Sequence, residues 1–365
     1  MFRTIGLAKP SNILSRITSV PCLFNRTAYQ SKSSIRSAHN FSPPNPNPWR
    51  FSPGGHPVQS NGTAITIWTL AAVGTIYTTA AVIENVNLEK ETPKVISVFT
   101  RNQENTYDVR RKVHEMKYPP GVLYSPTRWP TVNQLGSLDG RLEFWRKLLP
   151  SEQVTYALMS MNAAVHALGT LAPAFWSNVF MHTPGSNKNF TLLTCVFGHG
   201  SFIHLGFNMY GLHSFMPTLG QDPTFNSSIA HITAFYLSTG VISSWVQAIS
   251  AGLRPNSYPI PFLGASGALF ALVGAFALQH PDAKFQIMFI PYSFAAQELL
   301  GAMMLFDLLG VFGAFKSIRL GHAAHLSGAI LGSGYVYFGG EKRIWQPLCR
   351  GVYKRFGMSK WEKKV

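Results

Sequence analysis

Acidic residues are scarce in this chain, and between Met1 and Ile83 there are none; the first is Glu84. Charge of either sign is thin. Asp, Glu, Lys and Arg make up 13% of the residues, about half the share of an ordinary globular domain, so long stretches hold nothing that requires water. Cys22, Cys195 and Cys349 stand far apart, which excludes a disulfide framework and a cysteine-based zinc site. No Gly-x-x-x-x-Gly-Lys phosphate loop occurs. Gly264-Ala265-Ser266-Gly267 is followed by Ala268, so it does not fit the Gly-x-Ser-x-Gly elbow of soluble hydrolases. The net charge of +16 gathers toward the two ends, beside apolar segments. That is the ordinary flanking of membrane spans, and no nucleic-acid partner is expected.

Apolar segments are what the chain has instead. Residues 1–40 mix Arg3, Lys9, Arg16, Arg26, Lys32 and Arg36 with Ser, Thr and apolar residues, the composition of a mitochondrial targeting presequence. Residues 41–63 form a Pro-rich linker that cannot be helical. Residues 64–83 are free of charge and long enough to cross about 30 Å of hydrocarbon. A polar, soluble connecting segment fills 84–153. Six further spans are expected near Val154–Phe180, His199–Leu219, Ile229–Ala251, Gly264–Gln279, Ala295–Phe312 and His322–Phe338, joined at Pro, Gly, Asn and Asp. A basic tail covers 341–365. The expected fold is an all-α polytopic membrane protein: a six-helix bundle at 154–340 with one extra N-terminal transmembrane helix. There is no internal repeat.

Polar residues inside spans are costly and usually functional. His204 and Asn208 lie early in the second bundle span, Ser266 opens the fourth and His325 opens the sixth. Alternate spans run in the same direction, so these four side chains can meet at one depth. A serine hydroxyl needs a base to become nucleophilic, and imidazole titrates near neutrality. His204 and Asn208 are i and i+4, hence on one helix face, and both can donate to a developing oxyanion. Gly267, with Ala271 and Ala275, and Gly328 with Gly332 form small-xxx-small faces that let helices approach closely. Phe270, one turn after Ser266, is placed to pack under the imidazole. His322 could compete with His325 as the base. His199, His213 and His231 are read as structural. Asp307 and Glu298 fall in the fifth span, where either could orient a histidine. Asp307 is expected to pair with a neighbouring polar group instead, leaving a Ser–His dyad. No metal site and no cofactor are expected, because His204 and Asn208 lack further ligands at metal spacing.

These motifs closely resemble the rhomboid family of intramembrane serine proteases. Gly264-Ala265-Ser266-Gly267 resembles its nucleophile motif, His325-x-x-Gly328-x-x-x-Gly332 its histidine motif and His204-x-x-x-Asn208 its oxyanion motif. The extra span, the acid-free N-terminus and Gly321-His322-Ala323-Ala324-His325-Leu326 are similar to the mitochondrial, presenilin-associated rhomboid-like group, in its fungal form. The resemblance implies a serine endopeptidase of the mitochondrial inner membrane. It would cleave single-span membrane protein substrates in or near their transmembrane segment, such as a dynamin-like GTPase or cytochrome c peroxidase. The alternative is an inactive, client-binding relative; such relatives typically lose the serine or the histidine, and both are here. Two departures stand out. The Trp-Arg pair of the first loop is replaced by Trp176-Ser177, and Phe270 stands where bacterial members often carry Tyr. Orientation stays open. Entry led by a presequence puts the catalytic face toward the matrix, whereas the excess of Lys and Arg on the opposite face puts the tail there.

Overall fold

The computed structural model describes residues 62–91, 106–119, 130–253, 260–286, 292–315 and 320–355. The presequence, nearly all of the Pro-rich linker and the last ten residues of the tail lie outside them. The described chain is mostly helical. Helix α1 (Gly62–Glu91) is followed by three connecting helices, α2 (Thr106–Lys117), α3 (Val132–Gly136) and α4 (Leu138–Lys147). Then come α5 (Pro150–Leu171), α6 (Pro173–Phe180), α7 (Thr191–Thr194), α8 (Phe202–Gln221), α9 (Ile229–Gly252) and α10 (Ser266–Gln279). A two-stranded antiparallel ribbon, β1 (Lys284–Gln286) and β2 (Ser293–Ala295), leads into α11 (Ala296–Val311). Helix α12 (His322–Tyr337), a π-turn (Glu341–Trp345) and α13 (Gln346–Arg355) follow. Among the described residues, α1 and α9 are long and apolar enough to cross a membrane, and α10 is a shorter apolar helix.

Local chemistry places the boundaries. The apolar stretch 154–180 is two helices, because Pro173 carries no amide hydrogen and disfavours helix at the residue before it. Ala172 accordingly leaves the helical region at φ −140°, ψ 66°. Ser201 caps α8 by accepting from the His204 amide at 3.1 Å, and Ser228 caps α9 by accepting from His231 at 3.0 Å. Such caps are worth about 1 kcal/mol each. Glu298 starts α11 by accepting from the Ala295 amide at 2.8 Å.

Helix α10 is the central element. Ala268, Ala271, Leu272 and Ala275 are fully buried, and α8, α9, α11 and α12 pack around it. The closest approach is to α12. A Cβ on Gly328 would strike the Gly267 carbonyl, and one on Gly332 the Ala271 carbonyl. Gly274 makes a third such approach, to Ser333 and the Ala329 carbonyl.

The segments flanking this bundle are built into the fold. Helix α1 lies on α9 and α13, with Ala81, Leu88, Trp345 and Cys349 in one apolar cluster. It runs eight residues beyond the expected Ile83, and Glu84 is buried where it accepts from Ser228 Oγ at 2.7 Å. Arg111 on α2 bridges Glu341 at 2.6 Å and Glu115 at 3.1 Å, and Arg350 on α13 reaches Asp108 at 2.8 Å.

Candidate active site

Ser266 is the first residue of α10. The chain arrives there under backbone control. His182 and Phe262 exchange amide hydrogen bonds of 3.0 and 2.9 Å, and the Gly264 amide donates to the Cys195 carbonyl at 2.9 Å. Gly264 sits at φ +132°, a conformation L side chains rarely adopt. It also has no room for one: a Cβ would stand 2.8 Å from the His204 ring. Glycine here both turns the chain into α10 and admits the His204 imidazole beside the turn.

His325 Nε2 lies 2.8 Å from Ser266 Oγ. The ring stacks on Phe270 with centroids 4.3 Å apart and planes 13° from parallel. Stacking fixes the ring plane, and the Gly267–Gly328 approach fixes the distance between the two helices. On its other side, His325 Nδ1 is 3.3 Å from Asp307 Oδ1 on α11. The same oxygen accepts from His322 Nδ1 at 2.7 Å. Asp307 thus pairs with a polar neighbour and reaches the second histidine as well. His322 is turned toward this carboxylate, with its Nε2 buried and unpartnered. Glu298 is engaged in capping α11. Since a carboxylate only accepts, His325 carries its proton on Nδ1, and Nε2 is left to accept from the serine hydroxyl.

The other polar residues of the constellation sit close by in a different posture. His204 stands between Gly264 and His199, whose ring centroid is 5.1 Å away. Asn208 is buried, and its Nδ2 donates to the His204 carbonyl of its own helix at 2.8 Å, while Oδ1 has no partner. Its amide must rotate to serve an oxyanion. Ala265 offers no capping side chain to the first turn of α10, and the opening amides of a helix lack intrahelical acceptors. Two residues on α9 support the site without any motif to signal them. Ser243 lies where a Gly267 Cβ would stand, and Gln247 Oε1 accepts from the Ala324 amide at 3.2 Å. Among the described residues, no three His, Cys, Asp or Glu side chains converge as metal ligands.

Beside the site, the loop after α6 holds a buried histidine. Thr191 Oγ1 donates its hydrogen to the Lys188 carbonyl, so His182 Nδ1–H must donate to Thr191 Oγ1, at 2.8 Å. His182 Nε2 is buried with no acceptor. Protonation would place an unsatisfied N–H there, and burial holds the imidazole down to about 4.

The fold thus brings a serine at a helix N-terminus against a histidine that accepts from it, with His204 and Asn208 close by and packed apolar helices around them. Residues 186–342 match the rhomboid domain. The chain is homologous to mitochondrial presenilin-associated rhomboid-like proteins. It is 31% identical to those of Rattus norvegicus and Homo sapiens, over 60% of this chain and 59% of the relative. It is 27% identical to rhomboid protein 1, mitochondrial, of Saccharomyces cerevisiae, over 51% and 53% of the two chains. The chain therefore spans under two thirds of the length of these relatives.

Proposed function

We propose that this protein is a mitochondrial intramembrane serine protease working through a Ser266–His325 dyad. The observation that carries the reading is the 2.8 Å contact between His325 Nε2 and Ser266 Oγ, inside a region that matches the rhomboid domain. His325 takes the hydroxyl proton as Oγ attacks the scissile carbonyl. The backbone amide of Ser266, with His204 and a rotated Asn208, stabilises the oxyanion. His325 then returns the proton to the leaving amine, and water repeats the cycle on the acyl-enzyme. The substrates are single-span membrane proteins of the inner membrane or intermembrane space, such as a dynamin-like GTPase or cytochrome c peroxidase, cut in or near their membrane segment. The protein resides in the inner membrane with one span ahead of the six-span bundle. The mitochondrial names of its relatives support that location.

The test is cleavage of a single-span reporter by purified protein in lipid. Wild type should yield product and Ser266→Ala none, with equal folding and insertion. Cleavage by both proteins would remove Ser266 as nucleophile.

A further inference from the structure

We infer that Asp307 is a positioning residue for His325, shared with His322, so that the catalytic pair is extended to Ser266–His325–Asp307–His322. This rests on the protease reading and deepens it. One carboxylate oxygen lies 2.7 Å from His322 Nδ1 and 3.3 Å from His325 Nδ1. Asp307 is 1% exposed, and a buried charge persists only where it is paired and hydrogen-bonded. The shorter contact holds the carboxylate in place, since a Cβ on Gly310, one turn beyond Asp307, would collide with the His322 ring. The longer contact is the one free to change. When His325 takes the serine proton it becomes a cation facing a carboxylate, and its Nδ1–H bond turns charge-assisted and shortens. Catalytic hydrogen bonds are often long before the substrate arrives. His322 limits the effect by drawing on the same oxygen.

Among the described residues, the groups facing His325 are few. Helix α10 presents Ser266 and Phe270, α11 presents Asp307, and His322 is on the same helix as His325. His204 of α8 lies within electrostatic reach, and α9 presents uncharged Gln247 near Ala324. Asp307 is thus the one carboxylate among the described groups that face His325, and its removal has a signed consequence. Without it, the His325 cation loses its stabilisation.

The experiment is the rate of Ser266 modification by a fluorophosphonate probe, followed against pH on the full chain in lipid. Ser266→Ala serves as the blank. Asp307→Asn keeps an acceptor oxygen for both histidines but removes the charge. The plateau rate should fall at least about tenfold, and the acid limb should move to lower pH by about one unit. His322→Gln releases the carboxylate toward His325, so its acid limb should move to higher pH; this variant keeps the question open to test should Asp307→Asn fold poorly. Opposite shifts establish the shared carboxylate. Ser266-dependent labelling with unshifted limbs in both variants would overturn it while leaving the protease reading intact, even if plateau rates fall. Loss of Ser266-dependent labelling in the wild type would remove the protease reading and this inference with it.

Discussion

In the proposed mechanism a few atoms carry the chemistry, and each answers to a different substitution. Under that proposed mechanism Ser266 and His325 act on the same proton, so His325→Ala should abolish reporter cleavage as fully as Ser266→Ala, and the double variant should be no worse; turnover of the three proteins in parallel checks this. In the same mechanism Asn208 contributes only once its amide turns from the His204 carbonyl toward substrate. Asn208→Ala should therefore lower kcat by about a hundredfold, the cost of one oxyanion donor, with KM little changed. Initial rates across a reporter titration separate the two. His182 reports on pH. Its folded value of about 4 lies below the ordinary 6.5, so between those limits the unfolded chain binds more protons. Stability from His182 is complete above pH 6.5 and is lost as pH falls toward 4. The loss rate is at most about 1.4 kcal/mol per pH unit. Thermal melts between pH 7 and 4.5 should show a weaker decline in His182→Gln than in wild type.

Helices place those atoms, and the contact of α10 with α12 is the most demanding. Gly267, Ala271 and Gly274 on one helix face Gly328, Ala329 and Gly332 on the other, with backbone carbonyls where Cβ atoms on Gly274, Gly328 and Gly332 would be. Gly332→Leu must push the helices apart, because a carbonyl cannot rotate out of the way as a side chain can. It should cost more than the roughly 1–3 kcal/mol of ordinary overpacking. It should also slow fluorophosphonate labelling of Ser266, as the 2.8 Å contact opens. Melting temperature and labelling rate, measured on the same preparation, test both effects. The four-residue spacing of these small residues is visible in the sequence. Their partners are not: Ser243 and Gln247 belong to an α9 face with no distinguishing pattern.

At the scale of the molecule, α1 packs on α9 and α13 in one apolar cluster. Arg111 holds Glu341 and Glu115, and Arg350 holds Asp108, so α2 is clamped to the C-terminal elements. Arg111→Ala should lower stability by about 1–3 kcal/mol, less than the roughly 3–5 kcal/mol of a fully buried pair. It should also expose α2 to trypsin. Limited proteolysis with mapping of cuts between residues 106 and 117 tests this, and protection equal to wild type would argue against the clamp.

Span composition, the order of the three motifs and the helix direction that gathers Ser266, His325, His204 and Asn208 at one end are local or periodic properties. They can be read without coordinates because hydrophobic length and 3.6-residue spacing are written along the chain. The break at Pro173 was equally legible in principle, although a continuous apolar run masked it. Side-chain direction and pairing across helices are of another kind. That Asp307 serves two histidines, that Asn208 faces its own helix and that Arg111 closes on Glu341 all depend on contacts between residues far apart in the chain. Rotamers and helix rotation choose among such contacts, and only packing in three dimensions sets either one.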